Sequence, residues 1–140
     1  MRKFLLASHG RFAEGIYDSL CMIMGKQYNV STICAYVDPT VDLKQQIKAA
    51  LEHYEENEEV IIITDIFGGS INNEFMHISK QCHIHLISGL NLPLLIELIS
   101  TQTSENSTEQ WLEQTISLSK DAIQYCNNKM NILETSGDDF

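Results

Sequence analysis

Residues 60–70 read Val-Ile-Ile-Ile-Thr-Asp-Ile-Phe-Gly-Gly-Ser. The β-branched run over residues 60–64 is typical of a strand that is covered on both faces, as in a parallel sheet. Asp65 and the two glycines after it indicate a turn, and Ser70 is suited to cap a following helix. A buried strand, a polar turn and a helix in this order predict one unit of an α/β fold.

The same alternation of strand and helix extends through the rest of the chain. Apolar runs predict further strands, at residues 3–8, 31–37 and 84–88. Apolar residues at helical spacing predict helices, over residues 11–24 with a stop at Gly25, over 43–54, and over 92–99. Ser107 and Gln110 have capping-box spacing for a final helix. Four strand–helix units predict an open parallel four-stranded sheet with helices on both faces, and right-handed crossovers favour the strand order 2-1-3-4.

The chain of 140 residues has the size of one ordinary domain. We assign that domain to residues 1–126 and treat residues 127–140 as a C-terminal tail. Within the tail, Met130–Leu133 is a candidate antiparallel edge strand. The tail is therefore either an extra edge strand or a dimer arm.

Composition limits the partners that this protein is expected to bind. The formal net charge is −10, from 9 basic and 19 acidic residues, which opposes binding to nucleic acid and to anionic lipid. The apolar run at the N-terminus is too short for a signal peptide, and no run approaches the length of a membrane span. The four cysteines are widely separated and form no zinc-type pair. These features predict a cytoplasmic protein without disulfides or a metal site.

His9 is the residue best placed for chemistry. It follows the first strand and precedes Gly10, and a histidine there can be a nucleophile, a general base, a metal ligand or a cap. In the order 2-1-3-4 the first and third strands adjoin, so His9 and Asp65 are expected to meet where these strands end. Asp65 can then accept a hydrogen bond from one ring nitrogen and present the other outward.

Gly68, Gly69 and Ser70 form the second part of the predicted site. Glycines let an anion approach the main chain, and the amides of a helix start favour negative charge. The spacing lacks both the P-loop and the dinucleotide-binding motif, which argues against a nucleotide cofactor. The residues fit phosphoryl transfer through a phosphohistidine without any cofactor. Physical chemistry alone also allows a hydrolase with His9 as base and Ser70 as nucleophile.

Three separated segments resemble the mannose-family IIA components of sugar phosphotransferase systems. The segments are residues 7–10 (Ala-Ser-His-Gly) with 13–15, residues 64–70 with Asn73, and residues 88–95 (Ser-Gly-Leu-Asn-Leu-Pro-Leu-Leu). The resemblance implies a cytoplasmic domain in which His9 accepts phosphate from the phosphocarrier protein HPr and passes it to a IIB component. It implies transfer at Nε2 with Asp65 holding Nδ1, an indirect link to the membrane IIC/IID transporter, and a homodimer that shares a C-terminal strand.

Some residues at the expected site have no settled role. Arg11, Gly89 and Asn91 are candidates for its rim, and Ile71 stands where such domains commonly have proline. Two alternative functions remain open. One is the related subunit that feeds dihydroxyacetone kinase, which the Gly-Gly-Ser turn and the Gly-Leu-Asn-Leu-Pro segment disfavour. The other is a regulatory domain that uses phosphorylated His9 as a switch.

Overall fold

The computed structural model describes residues 2–78 and 83–128. The chain divides into two compact units, Met1–Gln102 and Thr103–Phe140. The first unit alternates strand and helix throughout, as β1 (Arg2–His9), α1 (Phe12–Met24), β2 (Val30–Ala35), α2 (Leu43–Leu51), β3 (Glu59–Thr64), α3 (Ser70–Ile78), β4 (Ile84–Ser88) and α4 (Leu92–Ser100). The second unit contains α5 (Thr108–Lys120).

The four strands form one sheet in which every neighbouring pair is parallel. Their order is β2-β1-β3-β4, so the predicted fold class and strand order are confirmed. Ala7 of β1 lies between Ile33 of β2 and Thr64 of β3. All four strands therefore end at the same edge of the sheet, and the turns that follow them meet there.

Both faces of the sheet are covered by helices. One face packs against α2 and α3 through a buried cluster of Leu5, Ala7, Ile33, Ala35, Ile47, Val60, Ile62, Ile71, Phe75 and Ile84. Phe4 and Leu6 alternate with the β1 members of this cluster, are fully buried, and point to the other face. Helix α1 contacts β1, β2 and α4. Each fully buried Leu, Ile, Val or Phe side chain of this core stabilises the fold by roughly 1.5–3 kcal/mol, because it is removed from water.

The predicted element ends agree with the structure to within one residue except in two elements. Helix α2 was expected to extend to residue 54, which is wrong, because it ends at Leu51. The second exception is β2. We expected this strand to continue to Val37, and that expectation is wrong, because β2 ends at Ala35. Tyr36 has φ of +65°, which is left-handed and incompatible with a continuing strand. Helix α1 does stop at Gly25, whose φ is +80°.

The second unit begins its helix as the sequence predicts, because the Ser107 side chain accepts a hydrogen bond from the Gln110 amide at 3.3 Å. The candidate edge strand Met130–Leu133 lies outside the described residues, and our division of the chain at residue 126 stays a prediction. Within residues 2–78 and 83–128, no helix has both the length and the apolar character that crossing a bilayer requires.

Candidate functional site

The turn between β1 and α1 holds His9 at the edge of the sheet. Gly10 adopts φ of +60° and donates its amide to the Ala35 carbonyl at 2.8 Å, which links the turn to β2. Ser8 is fully buried, and its hydroxyl accepts the Ala13 amide at 2.7 Å while donating to the Gly10 carbonyl at 3.2 Å. The residue before His9 therefore caps α1. The backbone around His9 is fixed on both sides.

Asp65 holds His9 through one carboxylate oxygen. Its Oδ2 accepts the backbone N–H of His9 at 2.8 Å and also lies 2.8 Å from the ring Nδ1. Its Oδ1 accepts the Ile66 amide at 3.0 Å. The Asp65 amide donates to the Ala7 carbonyl at 3.1 Å, which continues the pairing of β1 with β3. The strand order thus brings together two residues that are 56 positions apart.

The protonation state of Asp65 decides which ring nitrogen of His9 can react. Burial raises the pKa of the Asp65 carboxyl, but the hydrogen bonds from the His9 amide, the His9 ring and the Ile66 amide outweigh it and set the pKa below its usual range. The carboxyl is therefore ionised near neutral pH and can only accept. Nδ1 must be the donor, which leaves the lone pair on Nε2. The His9 side chain is 45% exposed, so a partner molecule can reach it.

The turn between β3 and α3 comes directly against the His9 ring. Gly68 has φ of +78°, which a residue with a side chain rarely adopts. A Cβ atom on Gly69 would lie 2.9 Å from Ile66 Cγ2 and 3.4 Å from His9 Cε1. A side chain at position 69 would clash with Ile66 and touch the imidazole, so glycine keeps the space beside the ring open. Helix α3 begins at Ser70, and the first amides of a helix have no intrahelical acceptor and attract anions.

Buried contacts fix where α3 begins. The Thr64 hydroxyl donates to Asn72 Oδ1 at 2.9 Å, and both side chains are buried. Ile71, the residue that replaces the usual proline, is fully buried in the core beneath α3. Asn73 donates its side-chain amide to the Gly68 carbonyl at 3.4 Å. Packing and these hydrogen bonds hold the turn in place of a proline ring.

Tyr36 is a member of the site that the sequence analysis missed. Its ring centroid lies 5.6 Å from that of His9, and its hydroxyl lies 2.7 Å from Ser70 Oγ. The predicted second strand extends to Val37, two residues beyond the observed end of β2, and so places Tyr36 inside the strand. The predicted strand order could have indicated this position, because β2 adjoins β1 and therefore ends beside His9. Asn72 was also missed, and nothing in its sequence context marks it.

The three rim candidates take local roles in the structure. Arg11 pairs with Glu14 at 3.5 Å on the exposed start of α1. The Gly89 amide donates to the Thr64 carbonyl at 2.9 Å, and φ of +103° at Gly89 shapes the turn after β4. Asn91 caps α4 by accepting an amide of its first turn at 2.9 Å. Gly89 and Asn91 therefore shape the loop that follows the fourth strand.

The arrangement combines an oriented, exposed imidazole with a glycine turn and a helix start. Such a histidine can attack phosphorus through Nε2, or remove a proton as a general base. Among the described residues, no group of three or more His, Cys, Asp or Glu side chains is arranged to hold a metal ion.

Comparison with known proteins gives one consistent result. The family model for the PTS system fructose IIA component, EIIA-man, matches residues 3–116. The fructose-specific EIIA component of Bacillus subtilis is 25% identical over 99% of this chain and 96% of its own length. The sorbose-specific EIIA component of Klebsiella pneumoniae is 32% identical over 70% of this chain and 73% of its own length.

A solved structure extends the agreement to three dimensions. A Klebsiella pneumoniae crystal structure, described as a phosphoenolpyruvate-dependent sugar phosphotransferase system permease, superposes with a TM-score of 0.87. It is 45% identical in sequence and covers 92% of this chain and 93% of that one.

Proposed function

Because the chain belongs to the EIIA-man family of sugar phosphotransferase system IIA components, we propose that His9 carries a phosphoryl group in transit between two partner proteins. The observation that supports this most directly is the 2.8 Å contact between His9 Nδ1 and Asp65 Oδ2. It orients the ring and leaves Nε2 as the nucleophile. The exposure of the ring suits a residue that must meet the phosphorylated side chain of another protein.

The transfer step requires no added cofactor and no external base. Nε2 of His9 forms a bond to phosphorus while the phosphorus–nitrogen bond of the donor's phosphohistidine breaks, and the donor ring leaves with its electron pair. The His9 ring gains positive charge as the new bond forms. The ionised Asp65 carboxylate accepts the Nδ1 proton in a hydrogen bond and stabilises that charge.

The three equatorial phosphoryl oxygens lie around the line that joins the attacking and leaving nitrogens, and they need hydrogen-bond donors there. Gly69 leaves room beside the imidazole, so the phosphoryl group can sit against the turn at Gly68 and the start of α3. The first amides of that helix and the Ser70 hydroxyl are the donors we assign to the equatorial oxygens. We assign Arg11, which lies two residues after His9 and pairs with Glu14 on the exposed start of α1, as a further positive charge for the phosphoryl group.

We assign HPr as the donor and a IIB component as the acceptor, which passes the phosphate on for coupled uptake and phosphorylation of a sugar, with the membrane IIC/IID transporter as an indirect partner. The protein would act in the cytoplasm, and the homodimer expected for such components would form there. Transfer in both directions requires one accessible nitrogen and a site that does not enclose it, which matches the partly exposed ring.

A labelling experiment tests the proposal. The purified chain is incubated with the phosphoenolpyruvate-dependent enzyme of the system, HPr and labelled phosphoenolpyruvate. We expect an acid-labile, base-stable label that is absent from His9→Ala and present in His53→Ala, a substitution of an exposed histidine elsewhere. Turnover of a small phosphate ester without any label on the chain would instead establish the hydrolase.

The acceptor is tested in a second step. Labelled protein is mixed with a IIB component or with the acceptor subunit of dihydroxyacetone kinase. Label should pass to the IIB component alone. Passage to the kinase subunit alone would assign the chain to the dihydroxyacetone pathway, and label that reaches neither would favour a regulatory phosphohistidine domain.

A further inference from the structure

Tyr36 has a backbone conformation that its packing does not explain. In the described part of the chain it is the only residue other than glycine with positive φ, at +65°. This conformation costs an L-residue with a side chain roughly 1–2 kcal/mol. The Tyr36 side chain is also 57% exposed, so burial of apolar surface does not compensate for that cost. Strain of this kind is concentrated at functional sites.

The strained backbone directs the Tyr36 side chain across the site. Its ring lies beside the His9 ring, with 5.6 Å between centroids and 37° between planes. Its hydroxyl is 2.7 Å from Ser70 Oγ. The side chain of the residue that follows β2 therefore lies beside His9 at the end of β1 and contacts the residue that begins α3.

We propose that Tyr36 is a positioning residue for phosphoryl transfer and that it acts through Ser70; this inference rests on the function proposed above. A phenol is a better hydrogen-bond donor than an aliphatic alcohol, so the Tyr36 O–H donates to Ser70 Oγ. The single hydroxyl hydrogen of Ser70 is then left for a phosphoryl oxygen. Without Tyr36, the Ser70 hydroxyl is free to rotate away from the phosphoryl group.

A double-mutant cycle tests the inference. The variants are Tyr36→Phe, Ser70→Ala and the double substitution. The measurement is the rate constant for transfer of labelled phosphate from HPr to His9, together with KM for HPr. Each single substitution should slow the rate constant at saturating HPr by about three- to tenfold, as expected for one hydrogen bond. The double variant should be no slower than Ser70→Ala.

Two further variants separate positioning from structural and docking roles. Tyr28→Phe, at an exposed tyrosine that precedes β2 at the opposite end of the strand, should transfer at the wild-type rate. Tyr36→Gly relieves the positive φ, so its Tm should be at or above that of the wild type while transfer slows. A structural role for Tyr36 predicts the reverse, a lower Tm with unchanged transfer.

Four results would overturn the inference. The first two are a wild-type transfer rate in Tyr36→Phe, and slowing in the double variant that equals the product of the two single effects. The other two are a lower Tm with unchanged transfer in Tyr36→Gly, and a raised KM for HPr with an unchanged rate constant at saturating HPr. The last result would place Tyr36 in docking instead. Failure of the proposed function itself is distinct from all four, because the wild-type chain would then acquire no label on His9.

Discussion

Gly69 provides the sharpest test of the site geometry. In Gly69→Ala the added methyl group would lie 2.9 Å from Ile66 Cγ2 and 3.4 Å from His9 Cε1. Normal contact between carbon atoms is about 3.5–4.0 Å, so something must move by about half an ångström. The Ile66 side chain is 57% exposed and can rotate toward solvent. The free energy of unfolding should therefore fall by less than about 1 kcal/mol.

The effect on phosphoryl transfer should be much larger than the effect on stability. The new methyl group would contact Cε1, which is bonded to Nε2, so it narrows the space next to the nitrogen that the phosphoryl group approaches. A misplacement of about 1 Å costs on the order of a hundredfold in rate. A displacement of a few tenths of an ångström combined with this steric block should slow transfer by about ten- to a hundredfold.

The assay is the initial rate of labelling of His9 by phosphorylated HPr, measured beside thermal unfolding. Gly15→Ala is the matched control, because it lies within α1 and a Cβ there meets nothing within 4 Å. We expect the control to transfer at the wild-type rate and to gain roughly 0.5–1 kcal/mol in stability.

The double variant Ile66→Ala/Gly69→Ala removes the 2.9 Å clash and keeps the contact with the ring. It should remain slow. A wild-type transfer rate in Gly69→Ala, or full recovery of the rate in the double variant, would refute the claim that contact of the methyl group with the His9 ring slows transfer.

Three further predictions address the contacts around this centre. Asp65→Asn should slow transfer by at least about tenfold, because a neutral amide does not stabilise the ring charge. The folded-state pKa of Asp65 is lowered, so its carboxylate stabilises the fold above the unfolded-state pKa. The difference in unfolding free energy between wild type and variant should therefore shrink as pH falls below about 4. A pH-independent difference would contradict this. Arg11→Ala should slow transfer but change the free energy of unfolding by less than about 0.5 kcal/mol, since its ion pair with Glu14 is solvent-exposed; unchanged labelling kinetics would remove Arg11 from the mechanism. Asn72→Ala should destabilise the fold by about 1–3 kcal/mol, because the buried Thr64 hydroxyl loses its 2.9 Å acceptor and keeps only the Ile87 carbonyl at 3.5 Å. Chemical denaturation measures this, and a change near zero would show that the Ile87 carbonyl replaces the amide.

The general architecture was accessible from the sequence because its determinants are local. The apolar run at residues 60–64 and the glycine that ends α1 each mark an element by their own composition. Right-handed crossovers then leave few strand orders, so the proximity of His9 and Asp65 follows from topology. Their common contact through one carboxylate oxygen does not follow, because it depends on side-chain rotamers.

The predictions failed where a residue adopts a conformation that its type disfavours. A tyrosine after a β-strand gives no indication that its φ will be positive, so the end of β2 and the position of Tyr36 were both missed. The Thr64–Asn72 hydrogen bond depends on the approach of α3 to β3, and tertiary packing decides that approach. Ile71 is a third case, since its burial becomes visible only once the helix is docked.

The sharing of one Asp65 oxygen by the main-chain and ring N–H groups of His9 has a consequence for evolution. The fold itself orients the His9 ring, so under the proposed function neither the phosphoryl donor nor the acceptor protein must supply a group that turns it. A donor and an acceptor with unrelated surfaces can therefore bind in turn at Nε2 of His9. Each can change in evolution without requiring a matching change in the other. An exchangeable relay of this kind permits new uptake systems to be assembled from existing parts.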